Sequence, residues 1–387
     1  GELGSPVAIL RREVMEENAR WMQDFLARCG ASLCPHGKTT MAPQLFQRQV
    51  AAGAWGITLA TPQQAQVAFA HGIQRVMLAN EVVDPASLRG LAATLNLDPE
   101  RDLAVFADSP ESVARMEAHW CGARPLTVLV ETGIIGGRCG ARGLQTALSV
   151  ARAIKAAHHL RLAGVACYEG IVLSQHAEQD RLAVNEWLED LATLARQCDG
   201  EHLFEAEEII LSAGGSAYFD LVAKVLNAVR LSRPTRVLLR SGCYLTHDAG
   251  HYQRLVALLE GRLDRAWKPQ GHLAPALEVW ARVLSRPEPG LAFLDAGKRD
   301  LPQDLGLPRP ARWVRPGGAV VSCPGEWRLV SLYDQHARLE LPANADLQVG
   351  DLVGLAVSHP CTTFDKWGVI FEMDEAGQVL GAVKTCF

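Results

Sequence analysis

Between residues 12 and 260, short aliphatic and β-branched runs alternate with longer stretches whose apolar positions recur every three or four residues. This is the pattern of βα units around a parallel sheet. Eight strands are predicted: Ala31–Cys34, Trp55–Ala60, Arg75–Ala79, Leu103–Ala107, Leu126–Glu131, Leu162–Cys167, Glu208–Ser212 and Arg236–Arg240, most of them followed by a helical pattern such as Thr146–Ala157. Eight units in roughly 250 residues suit a (β/α)8 TIM-type barrel better than an open sheet. After Leu263 the pattern becomes short alternating runs, Leu277–Leu284, Ala319–Cys323, Arg328–Tyr333, Leu352–Val357, Trp367–Met373 and Val379–Lys384, separated by Pro- and Gly-containing turns. These predict a mostly antiparallel β domain. The fold class is thus α/β: a barrel over 10–265 followed by a β domain over 266–387, with Lys268–Gly271 at the boundary and Pro302–Gly318 as a long loop at the junction.

Composition narrows the function classes. The 387 residues are 48% hydrophobic and 21% charged, enough for two sizeable cores and incompatible with disorder. Thirty-eight basic and 43 acidic side chains give a net charge of −5 without any block of like charges. A nucleic-acid or membrane-surface footprint is therefore excluded, and the expected partner is a small molecule. The 10 cysteines are scattered without a CxxC pair, unlike a secreted disulfide framework, so a reducing cytoplasm is expected. No apolar run approaches the roughly 20 residues of a membrane span, and residues 1–30 lack a basic segment followed by an apolar one. Because Gly1 is not methionine, the native start is expected to lie outside this sequence or to have been replaced.

In a barrel, the active site gathers at the C-terminal ends of the strands. After the first predicted strand comes Cys34-Pro35-His36-Gly37-Lys38-Thr39-Thr40; later ones end in Asn80, in Asp108, and in Glu131 with Gly136–Gly140 and Arg138 close behind. Tyr168-Glu169-Gly170 follow the sixth strand, Ser212-Ala213-Gly214-Gly215-Ser216 the seventh, and Ser241-Gly242-Cys243-Tyr244 the eighth. The last two loops are where barrels commonly hold a phosphate, since glycines admit an anion to backbone N–H groups. The competing reading is a tight strand-to-helix turn. Lys38, in the barrel mouth, would be partly desolvated, which lowers an amine's pKa and suits a Schiff-base nucleophile; the alternative is a solvated surface lysine. A phosphate pocket with such a lysine suggests pyridoxal phosphate. In the second domain, Ser358-His359-Pro360-Cys361 follows an apolar strand. If the extended backbone continues, the His359 imidazole and Cys361 thiolate share a side and can meet one metal ion, leaving positions open as a catalytic site requires. The competing reading is a strand end with a buried cysteine and a hydrogen-bonded histidine.

Taken in order, these segments, together with Asp295-Ala296-Gly297-Lys298, resemble the fold-type III pyridoxal phosphate enzymes of the D-serine dehydratase and D-threonine aldolase group, over nearly the whole chain. The resemblance implies an alanine racemase-like barrel, a C-terminal β domain that residues 1–9 join, and a head-to-tail homodimer. It also implies that Lys38 carries pyridoxal 5'-phosphate and removes the α-proton of a small D-amino acid, and that His359 and Cys361 hold a divalent ion, preferably zinc. Tyr168 would lie near the pyridine nitrogen, Arg138 and His36 near the cofactor ring, and Ser212, Gly214, Gly215, Ser216, Gly242, Cys243 and Tyr244 around the phosphate. Thr40 stands where many members carry histidine, which leaves the substrate subgroup open. If Tyr168 rather than a carboxylate faces the ring, the electron sink is weaker and a metal at the β-hydroxyl would assist. The expected activity is dehydration of a D-3-hydroxy amino acid such as D-serine to a 2-oxo acid and ammonia. Retro-aldol cleavage of such a substrate is the nearest alternative. A racemase or a non-catalytic pyridoxal phosphate carrier would have no evident use for His359 and Cys361.

Overall fold

The computed structural model describes residues 3–172, 174 and 176–387. Its first strand, β1 (Val7–Arg11), lies outside the barrel and leads into helix α1 (Arg12–Cys29). The barrel strands follow: β2 (Ser32–Leu33), β3 (Ile57–Leu59), β4 (Arg75–Glu81), β5 (Asp102–Ala107), β6 (Leu126–Gly133) with a short flanking β7 (Ala141–Arg142), β8 (Leu160–Cys167), β9 (Ile209–Ala213) and β10 (Thr235–Leu239). Their order, β2-β10-β9-β8-β6-β5-β4-β3, closes where His36 bridges Thr58 and the Trp55 N–H donates to Leu33 O at 2.7 Å. All eight predicted strands are present. They read as continuous apolar runs because both faces are covered. Cys34, Met77, Ala104, Phe106, Leu129, Ala166, Ile210 and Leu238 fill the barrel interior, while their neighbours in the strands pack outward on the helices.

Those helices are α2 (Pro43–Ala51), α3 (Pro62–Ala70), α4 (Pro85–Asn96), α5 (Pro110–His119), α6 (Leu144–Ala156), α7 (Ala177–Gly200), α8 (Phe219–Leu226) and α9 (His251–Arg262). Four start on proline, whose fixed φ suits the first turn, and in three the preceding residue caps it: Thr61, Asp84 and Ser109 accept from the N–H of Gln64, Ser87 and Ser112. Among the described residues, no helix is long and apolar enough to cross a membrane.

The second domain is built on β11 (Leu277–Glu288), β12 (Leu291–Leu294), β13 (Arg309–Val314), β14 (Val321–Ser322), β15 (Arg328–Leu332), β16 (Ala337–Glu340), β17 (Leu352–Ala356), β18 (Val369–Met373) and β19 (Val379–Lys384), with the single-turn helix α10 (Cys361–Phe364) between β17 and β18. One prediction needs correction: the expected loop 302–318 contains β13, which pairs with β17. Proline marked that stretch as a breaker, but the register shifts between Pro310 and Arg312, so a bulge absorbs the missing N–H. The four-residue strands β12 and β16 were not predicted either, being too short for alternation to show.

β1 sits between β11, antiparallel, and β18, parallel, with Ile9 opposite Glu278 and Phe371. The chain therefore enters the barrel from the second domain and later returns to it. Glu372 on β18, only 1% exposed, pairs with Arg12 at the start of α1 at 2.5 Å and with Arg48 of α2. Leu10 is fully buried in β1. Leu10→Ala should cost about 2–5 kcal/mol, as large-to-small core changes do. The loss is read as a lower urea midpoint with an unchanged slope.

Candidate active site at the barrel mouth

Lys38 lies in a single 3-10 turn, Gly37–Thr39, directly after the first barrel strand. It lines a cavity of about 290 Å³ with His36, Glu131, Arg138, Tyr168 and Arg240. Burial lowers the Lys38 ammonium below the ordinary lysine value, with the Cys361 thiolate pulling the other way, and no carboxylate among the described residues pairs with it. Burial, followed by the charge of Lys38, keeps His36 well below its ordinary value, so its imidazole is neutral, and its Nδ1 is shielded from solvent without a partner. The Arg138 guanidinium stands over the Tyr168 ring, 4.6 Å from the centroid. Burial and the neighbouring Glu169 push the Tyr168 phenol up to about 12, so it stays protonated.

His359 and Cys361 approach from the second domain. The backbone between them is not extended, as the sequence reading supposed: Pro360 is helical (φ −63°, ψ −42°) and caps α10. The helical turn still keeps the two side chains near enough for each to shift the protonation of the other. His359 Nδ1 is held by Asp304 at 2.6 Å, so Nε2 is the free ring nitrogen. Cys361 Sγ lies 3.3 Å from Thr39 Oγ1, and Cys243 touches the same hydroxyl at 3.9 Å. A hydrogen bond from Cys243 holds the Cys361 thiol well below its ordinary value despite burial, while Cys243 keeps its proton. Burial depresses His359, but its contacts with Cys361 and Asp304 outweigh this and raise it to about 9.

The glycine loops are arranged differently from a simple phosphate cup. Gly214 N–H and Gly215 N–H donate to the fully buried Glu169 carboxylate at 2.9 and 2.8 Å. Gly214 has φ +136°, and a Cβ there would stand 2.8 Å from Arg240 N. A Cβ on Gly242 would stand 2.4 Å from His36 O. These two glycines let neighbouring strand ends approach each other. Ser212 points into the barrel, accepting from Arg240 Nη1 at 2.7 Å and donating to Leu238 O at 3.0 Å. Tyr244 turns away from the mouth, and its hydroxyl accepts from Gln49 at 3.0 Å. Ser216 and Cys243 are buried and do not line the cavity.

Comparison with known proteins supplies the rest. The family model "Alanine racemase, N-terminal domain" matches residues 10–233, more than half the chain, and the model "Putative serine dehydratase domain" matches 276–373. The chain belongs to the alanine racemase-like, fold-type III pyridoxal phosphate enzymes. A D-threonine aldolase from Arthrobacter sp. is 27% identical over 93% of this chain and 86% of its own length. A D-threo-3-hydroxyaspartate dehydratase from Delftia sp. is 24% identical over 99% and 96%. The crystal structure of the D-threonine aldolase from Filomicrobium marinum superimposes with a TM-score of 0.82 at 26% identity, covering 99% of this chain and 95% of that one.

The fold-type III cofactor fits the residues present. An unpaired, desolvated lysine, an unpartnered imidazole nitrogen and an arginine face one cavity of suitable size. Sequence reasoning missed Glu169, Arg240 and Asp304. Glu169 belongs to a quoted motif but offered no sign that it would hold two amides. Arg240 ends an apolar strand, and its buried guanidinium also donates to Cys167 O at 2.6 Å. Asp304 lies in the stretch read as loop. If Gly242 serves close packing, Gly242→Ala should cost about 1–3 kcal/mol as overpacking does, whereas Gly215→Ala, whose Cβ meets the Tyr168 ring at 3.2 Å and Gly170 Cα at 3.3 Å rather than a backbone oxygen at 2.4 Å, should cost less. Urea midpoints of the two variants test the order.

Proposed function

We propose that the chain is a pyridoxal phosphate-dependent lyase of small D-3-hydroxy amino acids, with Lys38 carrying the cofactor and His359 and Cys361 holding a divalent ion. The specific reaction proposed is dehydration and deamination: D-serine gives pyruvate and ammonium, the water lost in elimination being regained in hydrolysis. One observation carries the reading. The 3.3 Å contact of Cys361 Sγ with Thr39 Oγ1 holds the imidazole–thiolate pair one residue from Lys38. A racemase exchanges a proton at Cα and has no task for such a pair, whereas a lyase that breaks a bond at Cβ does.

The donor set suits zinc, which favours mixed nitrogen and thiolate ligands, and Asp304 on His359 Nδ1 is the usual carboxylate support for a metal-binding imidazole. A cysteine variant of a D-threo-3-hydroxyaspartate dehydratase has been solved in a metal-free form, which supports a metal in that protein. When bound, pyridoxal phosphate supplies an electron sink for Cα and the ion a Lewis acid for the β-oxygen. The chain does the rest. Burial favours the neutral amine of Lys38, which can take the α-proton at Nζ. Tyr168, kept as a phenol, would offer the cofactor a neutral group, and Arg138, stacked on it, would offer a cation beside it. With the Gly214 and Gly215 amides given to Glu169, Ser216 and the Gly242–Cys243–Tyr244 backbone would be the groups left to hold the phosphate. A homodimer in the cytoplasm belongs to the same reading.

Retro-aldol cleavage is the second reading, favoured by the two D-threonine aldolases among the relatives. Product analysis separates the two. Pyruvate from D-serine and 2-oxobutyrate from D-threonine are expected; glycine with acetaldehyde from D-threonine establishes cleavage instead; no product from either substrate removes both. Lys38→Ala should lower turnover at least about 10²-fold while keeping the fold. Chelation should abolish activity without unfolding, since an open two-residue site contributes little to folding. Full activity in metal-free protein would make the His359–Cys361 pair structural.

A further inference from the structure

The turn that carries Lys38 ends in a backbone conformation that a side chain disfavours. Among the described residues, three that are not glycine have positive φ, and one of them is Met41, at +39°, shortly after the lysine. The left-handed region brings Cβ against the following carbonyl, so such a residue keeps it only where surrounding contacts enforce it. Here Met41 N–H donates to Gly37 O at 2.9 Å, and the Met41 side chain is buried. The start of the turn has no slack either: a Cβ on Gly37 would stand 2.7 Å from the Phe46 ring of α2 and 2.8 Å from Ile57. The reversal at Met41 lets the chain leave the turn and enter α2 at Pro43 while Lys38 stays in the cavity.

A further restraint on Met41 comes from the second domain. After β19, Cys386 N–H donates to Met41 O at 2.8 Å. One residue earlier, Thr385 N–H donates to Gly368 O at 3.2 Å and Thr385 Oγ1 to Trp367 O at 2.6 Å. Trp367 and Gly368 lie between α10 and β18, and Trp367 is itself fixed, its main-chain N–H donating to Phe364 O at 3.2 Å and its indole to Asp300 O at 3.0 Å. Thr385 and Cys386 therefore form a strap, with one end on the exit of the helix that holds Cys361 and the other on the exit of the turn that holds Lys38.

We propose that Cys386, through its main-chain N–H, is a positioning residue for Lys38: by holding Met41 left-handed, it fixes the lysine turn relative to α10. This role rests on the reading of Lys38 as the residue that carries the cofactor. The thiol takes no part, and any residue except proline at position 386 supplies the N–H. Without the bond, Met41 relaxes towards an ordinary φ and the turn loses one of its restraints. The Lys38 amine then reaches less often the geometry that the cofactor aldehyde requires. One neutral hydrogen bond is worth about a 3–10-fold change in such an equilibrium.

The test compares Cys386→Pro, which removes the N–H, with Cys386→Ala, which keeps it, and with a chain ending at Thr385. Hydrogen exchange followed by mass spectrometry should show the amides of residues 37–42 exchanging about 3–10-fold faster in the proline variant and the shortened chain than in the parent, with Cys386→Ala unchanged. Dissociation constants for pyridoxal phosphate, from absorbance titration, should rise by a similar factor in the same two variants while urea midpoints stay at the parental value. Parental exchange rates in Cys386→Pro would overturn the proposal. So would Cys386→Ala behaving like Cys386→Pro, or an affinity loss that merely follows a falling urea midpoint. Borohydride fixing the cofactor on a different lysine would overturn the functional reading and the role of Cys386 with it; failure of the strap alone is recognised by labelling of Lys38 together with parental exchange rates.

Discussion

The site depends on how β1 is shared. Because the first strand of the chain is sandwiched between β11 and β18, the second domain is tied to the barrel at both of the barrel's ends, through β1 into α1 and through α9 into β11. Ile9 and Leu10 of β1 pair with strands on both sides, and Ala8, Ile9 and Leu10 are buried, so sliding the domain would break main-chain pairs and expose core together. Glu372, paired with Arg12 and Arg48, opposes the same motion, because separating a buried carboxylate from two guanidinium groups leaves it uncompensated. That constraint fixes β17 and α10, and with them the contact of Cys361 with Thr39. A group from one domain is thus held against the residue next to Lys38 of the other.

Within the barrel, polar groups are buried where side chains from different strands satisfy them. Arg240 ties Ser212 and Cys167 O together across neighbouring strand ends and lies over Phe106. Glu169 occupies the two amides at the Gly214–Gly215 turn. Both interactions bury polar groups where an incomplete set of partners would be expensive, and burial pushes the Glu169 carboxyl up although the two amides oppose it. They shape the floor of the cavity and set which amides are left for an incoming anion.

Much of this was legible in the sequence. Strands covered on both faces are uniformly apolar, and proline and capping residues mark helix starts, so all eight barrel strands could be read from pattern alone. The position of Lys38 followed from the rule that strand ends build the site. What escaped notice was set by pairing rather than pattern. Pro310 hid β13 because a proline is a breaker unless a bulge accommodates it, and no local signal announces the bulge. Pro360 turns the backbone into a helix, and His359 meets Cys361 by that turn and not by strand alternation. Asp304 is one acidic residue in a turn-rich stretch until the fold sets it against the His359 ring. The bulge that sets Glu81 opposite Phe106 in the β4–β5 ladder is equally silent, since Ala79 and Asn80 read as a strand ending.

The two walls of the mouth bear on Lys38 in different ways. On the side of the second domain, Cys361 is held as a thiolate by Cys243 and raises the affinity of Lys38 for its proton, while burial lowers it. On the other side, Glu81 and Glu131 are in contact; burial and Glu81 raise Glu131 to about 8, so at neutral pH that wall carries less charge than its residue count suggests. Arg138 and Arg240 lie between and oppose the protonation of Lys38. The amine is therefore set by burial first and by a near balance of charges second. A thiolate neutralised by a metal would remove the larger of the two contributions, those of Cys361 and Cys243, that favour the ammonium, so loading the His359–Cys361 pair and freeing the amine at Lys38 would act in the same direction.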